Sequence, residues 1–127
     1  MATILIIDDE EEICDLLEDV FKQEKGFAVL KTDNGEDGVE FVKSHRPDVI
    51  LLDIKLQVGM DGVDVLKEIK KYHPHAKVIV MTGYVEEAME RTIKNLGVDG
   101  YLEKPFTPPQ ILDVVKSVLK RKWAEGG

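Results

Sequence analysis

Five short apolar runs recur at nearly even intervals along this chain: Ile4-Leu5-Ile6-Ile7, Phe27-Ala28-Val29-Leu30, Val49-Ile50-Leu51-Leu52, Val78-Ile79-Val80-Met81 and Val98 to Leu102. A strand with one face in water alternates apolar and polar residues, because successive side chains point to opposite faces. These runs do not alternate. They read as strands covered on both faces, the situation of a parallel sheet with helices packed on each side. Parallel neighbours also need long crossovers, and the intervals between the runs leave room for them.

The intervals carry helical periodicity. Ile13, Leu16, Leu17, Val20 and Phe21 form one stripe, and similar stripes follow at Val39 and Val42, at Val65, Leu66 and Ile69, at Ala88, Met89, Ile93 and Leu96, and at Ile111, Val115, Val118 and Leu119. Gly26 and Gly97 stand where a left-handed residue would end a helix, and Asn34 where an N-cap would begin one. Thr107-Pro108-Pro109-Gln110 offers a capping box with proline at the first helical position. Right-handed crossovers turn five such βα units into an α/β fold with a doubly wound, open, five-stranded parallel sheet, since a barrel needs more units. The ligand site of such a sheet lies beyond the carboxyl ends of its strands.

Composition narrows the function classes. The 127 residues fit one domain, and 43% hydrophobic content supplies a core. A net charge of −8 argues against direct nucleic-acid binding, which depends on Lys and Arg neutralising phosphates. No apolar stretch reaches the roughly 20 residues of a membrane span, and Met1-Ala2-Thr3 lacks the basic start of a signal peptide. The expectation is a cytoplasmic protein with no membrane partner. The single Cys14 lies in an apolar helical pattern and reads as a small core residue.

The strand ends carry the chemistry. The first run ends in Asp8-Asp9, the third in Asp53, the fourth in Thr82 and the fifth in Glu103-Lys104-Pro105. Carboxylates converging on one rim repel, and a bound cation or a shared proton relieves them. An all-oxygen site of this kind suits Mg²⁺. A carboxylate beside Mg²⁺, a lysine and a hydroxyl meets the needs of phosphoryl transfer, with Asp53 as nucleophile. Gly83 leaves the approach to it open. Taken singly, these residues have ordinary explanations: Asp53 as a turn cap, Thr82 satisfying backbone at a strand end, Lys104 as a surface lysine, Tyr101 as a packed aromatic. Of the eight acids between Asp8 and Asp19, Glu11, Glu12, Asp15, Glu18 and Asp19 read as a solvated helix face, His73-Pro74-His75 reads as a polar loop, and Lys116, Lys120, Arg121 and Lys122 as complements to a helix C-terminus.

Together, Ile6-Ile7-Asp8-Asp9-Glu10, Leu51-Leu52-Asp53, Met60-Asp61-Gly62, Met81-Thr82-Gly83 and Gly100 to Phe106 resemble, in order and spacing, the receiver domain of two-component response regulators. The resemblance covers nearly the whole chain. It implies a receiver domain over residues 1–122, with 123–127 a tail or the start of a linker, and the strand order 2-1-3-4-5. It further implies that Asp53 accepts a phosphoryl group from a phosphohistidine on a sensor histidine kinase or histidine phosphotransfer protein. Asp9, Asp53 and the main-chain carbonyl of Lys55 would ligate Mg²⁺, with Asp8 acting mainly through water. Thr82 and Lys104 would hold the phosphoryl oxygens, Tyr101 would be the aromatic switch, and Pro105 would follow a cis peptide. The fourth helix, fifth strand and fifth helix would form the readout face toward a downstream effector, a face that could also support a homodimer. In this picture the chain is no enzyme beyond its own phosphorylation and dephosphorylation.

Two features are particular to this chain. The family's usual Met-Pro after the acceptor is replaced by Leu56-Gln57-Val58-Gly59, one residue longer, so a looser metal-side loop is expected. Lys55 and Tyr84, each two positions beyond a site residue, flank the path of the hydrolytic water in this family, and their bulk implies slow loss of the phosphoryl group. Two other readings stay open from the residues: an unphosphorylated docking module, and a small Mg²⁺-dependent phosphohydrolase. A flavin protein fits poorly, because the acids after the first strand would repel a phosphate.

Overall fold

The computed structural model describes residues 1–57 and 59–126, with side chains up to residue 120. Strands and helices alternate as β1 (Ala2–Ile7), α1 (Glu11–Gln23), β2 (Phe27–Thr32), α2 (Gly35–His45), β3 (Val49–Asp53), α3 (Gly62–Tyr72), β4 (Lys77–Thr82), α4 (Glu87–Leu96), β5 (Gly100–Glu103) and α5 (Pro108–Gly126). All pairings are parallel and the sheet order is β2-β1-β3-β4-β5, as the resemblance implied. Helix α5 continues past the domain end expected at residue 122, and Gly127 lies outside the described residues.

The unbroken apolar runs are explained by two cores, one on each face of the sheet. Ile4, Ile6, Leu51, Ile79 and Met81 point to the side covered by α1 and α5, where Leu17, Phe21, Ile111 and Val115 meet them. The alternate residues Leu5, Ile7, Ile50, Leu52, Val78 and Val80 point to the side covered by α2, α3 and α4. Ile4 through Ile7 and Val49 through Leu52 are all fully buried. At roughly 25 cal/mol per Å² of apolar surface removed from water, the three central strands dominate the stability of the fold.

Helix punctuation follows the sequence in part. Asn34 and Asp61 cap α2 and α3 by accepting the backbone N–H groups of Asp37 and Asp64. Thr107 N–H donates to Gln110 Oε1 at 2.9 Å and Gln110 N–H to Thr107 Oγ1 at 3.4 Å, the reciprocal pair of a capping box. Gly97 ends α4 at φ 89°. Gly26, at φ 96°, sits instead in the turn before β2, since α1 stops at Gln23. The left-handed cap of α2 is Arg46, at φ 45°, a residue type with no special preference for that region, which is why the sequence did not disclose it.

Gly62 shows why the start of α3 needs a residue without a side chain. A Cβ there would collide with the backbone of Ile54, in the turn that follows β3. Gly62→Ala is therefore expected to destabilise the protein by roughly 1–3 kcal/mol, the cost of overpacking against groups that cannot move away. Urea unfolding with an unchanged m-value checks this.

Candidate functional site

Parallel register brings the strand ends to one rim. Ile7 pairs with Leu52, Asp53 with Met81 and Thr82 with Glu103. Asp8, directly after β1, therefore stands beside Asp53 at the end of β3, and Lys104 follows β5 at the same level. The peptide linking Lys104 to Pro105 is cis, as the resemblance implied. Asp8 and Asp53 are only 1% and 3% exposed, although acids are rarely this buried without partners.

Their common partner is the Lys104 ammonium. Nζ lies 2.9 Å from Asp8 Oδ2, 2.9 Å from Glu10 Oε1 and 3.4 Å from Asp53 Oδ2. Carboxylate oxygens of Asp8, Glu10 and Asp53 lie within 4.8 Å of one another. The sequence reading grouped Asp9, not Glu10, with Asp8 and Asp53. Glu10 N–H donates to Asp8 Oδ1 at 2.8 Å, and its largely exposed side chain still reaches the Lys104 ammonium. Its place as the third acid of Asp8-Asp9-Glu10 was the only available signal.

Asp9 faces the other side, where its Oδ2 accepts the Gln57 N–H at 2.8 Å. Lys55 N–H donates to Asp53 Oδ1 at 3.0 Å, and the Lys55 carbonyl accepts from Gln57 Nε2 at 3.3 Å. Beyond Val58, which is outside the described residues, Met60 N–H donates to Glu36 Oε1. The β3–α3 connection is thus hydrogen-bonded to the β1–α1 turn through Gln57 and to the first turn of α2 through Met60.

Thr82 Oγ1 is buried and, among the described residues, has no hydrogen-bond partner. A hydroxyl left unsatisfied next to an acidic pocket suits an incoming oxygen ligand. Gly83 beside it is exposed, and a Cβ there would meet nothing within 4 Å. Tyr101, 39% exposed, lines a 260 Å³ cavity together with Thr82, Gly83 and Tyr84. Tyr84 is largely exposed, and the Lys55 ammonium lies 5.3 Å from its ring centroid, within cation–π range.

The residues outside this rim have ordinary roles. Cys14 is buried, its Sγ donates to the Asp8 carbonyl at 3.2 Å, and burial pushes its thiol up to about 11, so it is not nucleophilic at neutral pH. His73 ends α3 and contacts Arg46, and it belongs to no metal-ligating group among the described residues.

The electrostatics of the pocket are not balanced. Burial pushes Asp8 up to about 6, outweighing the hydrogen bonds from Lys104 and from the Glu10 N–H, and neighbouring Asp53 adds to the rise. Burial lowers Lys104, but its hydrogen bonds to Asp8 and Glu10 overcome this and hold it above the ordinary lysine range. Three acids against one ammonium leave excess negative charge on an all-oxygen donor set. A hard divalent cation such as Mg²⁺ fits that set.

Comparison with known proteins agrees with this geometry. Residues 4–116 match the response regulator receiver domain. The chain is 40% identical over 119 residues to sporulation initiation phosphotransferase F of Bacillus subtilis, covering 94% of each, and 34% identical over 117 residues to the chemotaxis protein CheY of Halobacterium salinarum, covering 91% of this chain and 95% of that one. Its fold superposes with a TM-score of 0.93, at 30% identity and 98% coverage of both chains, on a CheY-like response regulator receiver domain protein from Methanospirillum hungatei. The fold and rim define a signalling module of the two-component type. The chain belongs to the response regulator receiver domain family.

The strained charge at Asp8 has a measurable consequence. A carboxyl raised from 3.8 to about 6 holds its proton more tightly in the folded state, so its contribution to stability falls as pH rises from about 4 to 6 and the full cost is present at pH 7. The shift corresponds to an order of 2–3 kcal/mol. In EDTA, Asp8→Asn is expected to raise Tm at pH 7 by roughly 5 °C after loss of the Lys104 ion pair, and the gain should shrink toward pH 4. Thermal unfolding of both proteins at pH 4, 5.5 and 7 measures it.

Proposed function

We propose that this receiver accepts a phosphoryl group on Asp53 from a phosphohistidine of a sensor kinase or phosphotransfer protein, in a Mg²⁺-dependent reaction. The observation that carries the reading is the meeting of three groups at one rim: a buried carboxylate, an ammonium 3.4 Å from it, and a buried hydroxyl with no partner among the described residues.

An Asp53 carboxylate oxygen attacks phosphorus while the phosphorus–nitrogen bond breaks and its electron pair leaves with the imidazole. Lys104 stays cationic throughout, because its neighbours hold it protonated, and it pairs with the oxygens of the acyl phosphate. Glu10 is the exposed one of its three carboxylate partners, so a phosphoryl oxygen can take the place of Glu10 on Nζ without burying a new charge. Thr82 donates its hydroxyl to a second phosphoryl oxygen. Asp9, Asp53 and the Lys55 carbonyl would hold Mg²⁺, with Asp8 acting through water, and the bound ion would neutralise charge building on the transferring oxygens.

The signal leaves through Tyr101. When Thr82 moves toward the phosphoryl group, Tyr101 has the adjoining 260 Å³ cavity to turn into, and the surface of α4, β5 and α5 changes for a downstream effector. The 40% identity to a phosphotransferase of sporulation initiation supports a relay role, in which the phosphoryl group persists long enough to be passed on. The Lys55 ammonium resting on the Tyr84 ring closes the side from which water would attack.

Intact mass after incubation with acetyl phosphate is expected to show a gain of one phosphoryl group that needs Mg²⁺ and is absent from Asp53→Asn. No gain in the unaltered chain would leave the docking-module reading. Replacing both Lys55 and Tyr84 by alanine is expected to speed decay of the phosphorylated form roughly tenfold, the equivalent of removing about 1.4 kcal/mol of barrier. An unchanged decay rate would dismiss the water-blocking role.

A further inference from the structure

We propose that Gln57 positions the metal ligands of this receiver, an inference that rests on the Mg²⁺-dependent reading above. Two of the groups assigned to the metal converge on this one residue. Its backbone N–H donates to Asp9 Oδ2 at 2.8 Å, and its side-chain amide donates to the Lys55 carbonyl at 3.3 Å. The Lys55 N–H in turn donates to Asp53 Oδ1 at 3.0 Å. An unbroken chain of hydrogen bonds therefore links Asp9 to the acceptor carboxylate through residues 57 and 55.

The physical need for such a link is clear from the charges. Asp9 is a half-buried carboxylate beside a pocket that already holds Asp8, Glu10 and Asp53, and repulsion drives it outward. The Gln57 N–H opposes that drift while leaving Asp9 Oδ1 available as a ligand. A carbonyl oxygen has two lone pairs, so the amide bond to Lys55 likewise fixes the peptide plane and leaves one pair free. Mg²⁺ demands near-ideal octahedral geometry, so ligands already oriented by hydrogen bonds bind it more tightly. Proline, the family's usual residue here, has no N–H and no amide and can make neither contact. The altered loop of this chain thus carries a device of its own, anchored beyond residue 58 by the bond from the Met60 N–H to Glu36.

The test is Mg²⁺ affinity measured by calorimetry on the full chain, with Mn²⁺ binding followed by electron paramagnetic resonance as a second readout. Gln57→Ala keeps the backbone donor and is expected to weaken binding roughly three- to tenfold, and Gln57→Pro, which removes both donors, roughly 10- to 100-fold. Metal-free Tm should stay within about 2 °C for Gln57→Ala, because a lone exposed hydrogen bond contributes little to folding. Unchanged or tighter binding by Gln57→Ala, with the unaltered chain binding normally, would overturn the inference alone, and tighter binding would mean that Gln57 obstructs the ligands. Failure of the unaltered chain to bind Mg²⁺ at all would overturn the underlying reading together with it.

Discussion

One ammonium group holds the carboxyl end of this sheet together. Lys104 Nζ reaches Asp8, Glu10 and Asp53 at once, and two of those carboxylates are nearly inaccessible to water. Without it, the pocket would present uncompensated buried charge, which costs several kcal/mol per ion. With it, the pocket is still short of positive charge. That deficit is what the proposed chemistry would use, with a hard cation on the rim and a phosphoryl oxygen in place of one Lys104 partner.

The rest of the fold keeps that arrangement in register. Three central strands buried on both faces fix the levels of Asp8, Asp53 and Thr82 to within a residue, because a slip of one position would send every side chain of a strand to the opposite core. β5 is an edge strand with one fully covered side chain, Leu102, and it is followed at once by the cis peptide that precedes Pro105. Tyr101, the group proposed to move, stands on this less constrained side. Rigid support under Asp53 and a less covered edge at β5 come from the same topology.

The fold was legible because its signal is redundant. Each apolar run declares a doubly covered strand, each interval a one-sided helix, and alternation of the two leaves few topologies. Strand order was not legible from spacing and came from the resemblance. At the site, Asp8, Asp53, Thr82 and Lys104 could be picked out because they end strands, and the structure brings them to one rim. Glu10 was passed over because its reach to Lys104 is a tertiary contact of a largely exposed side chain, with no periodicity behind it. Gln57 was read as a loosening change, since the residue type announces a missing proline but not the donors it places on Asp9 and Lys55. Arg46 in the left-handed region was hidden for the same reason: its residue type does not announce that conformation.

Which rim acid carries the phosphoryl group is the point on which the whole account turns. Borohydride reduces an acyl phosphate but not a free carboxylate to the alcohol, so homoserine that appears in a peptide map only after treatment with acetyl phosphate and Mg²⁺ marks the acceptor. Conversion at Asp53 alone is the expected result. Conversion at Asp8 or Asp9 instead, or none in protein that binds Mg²⁺, would contradict the account.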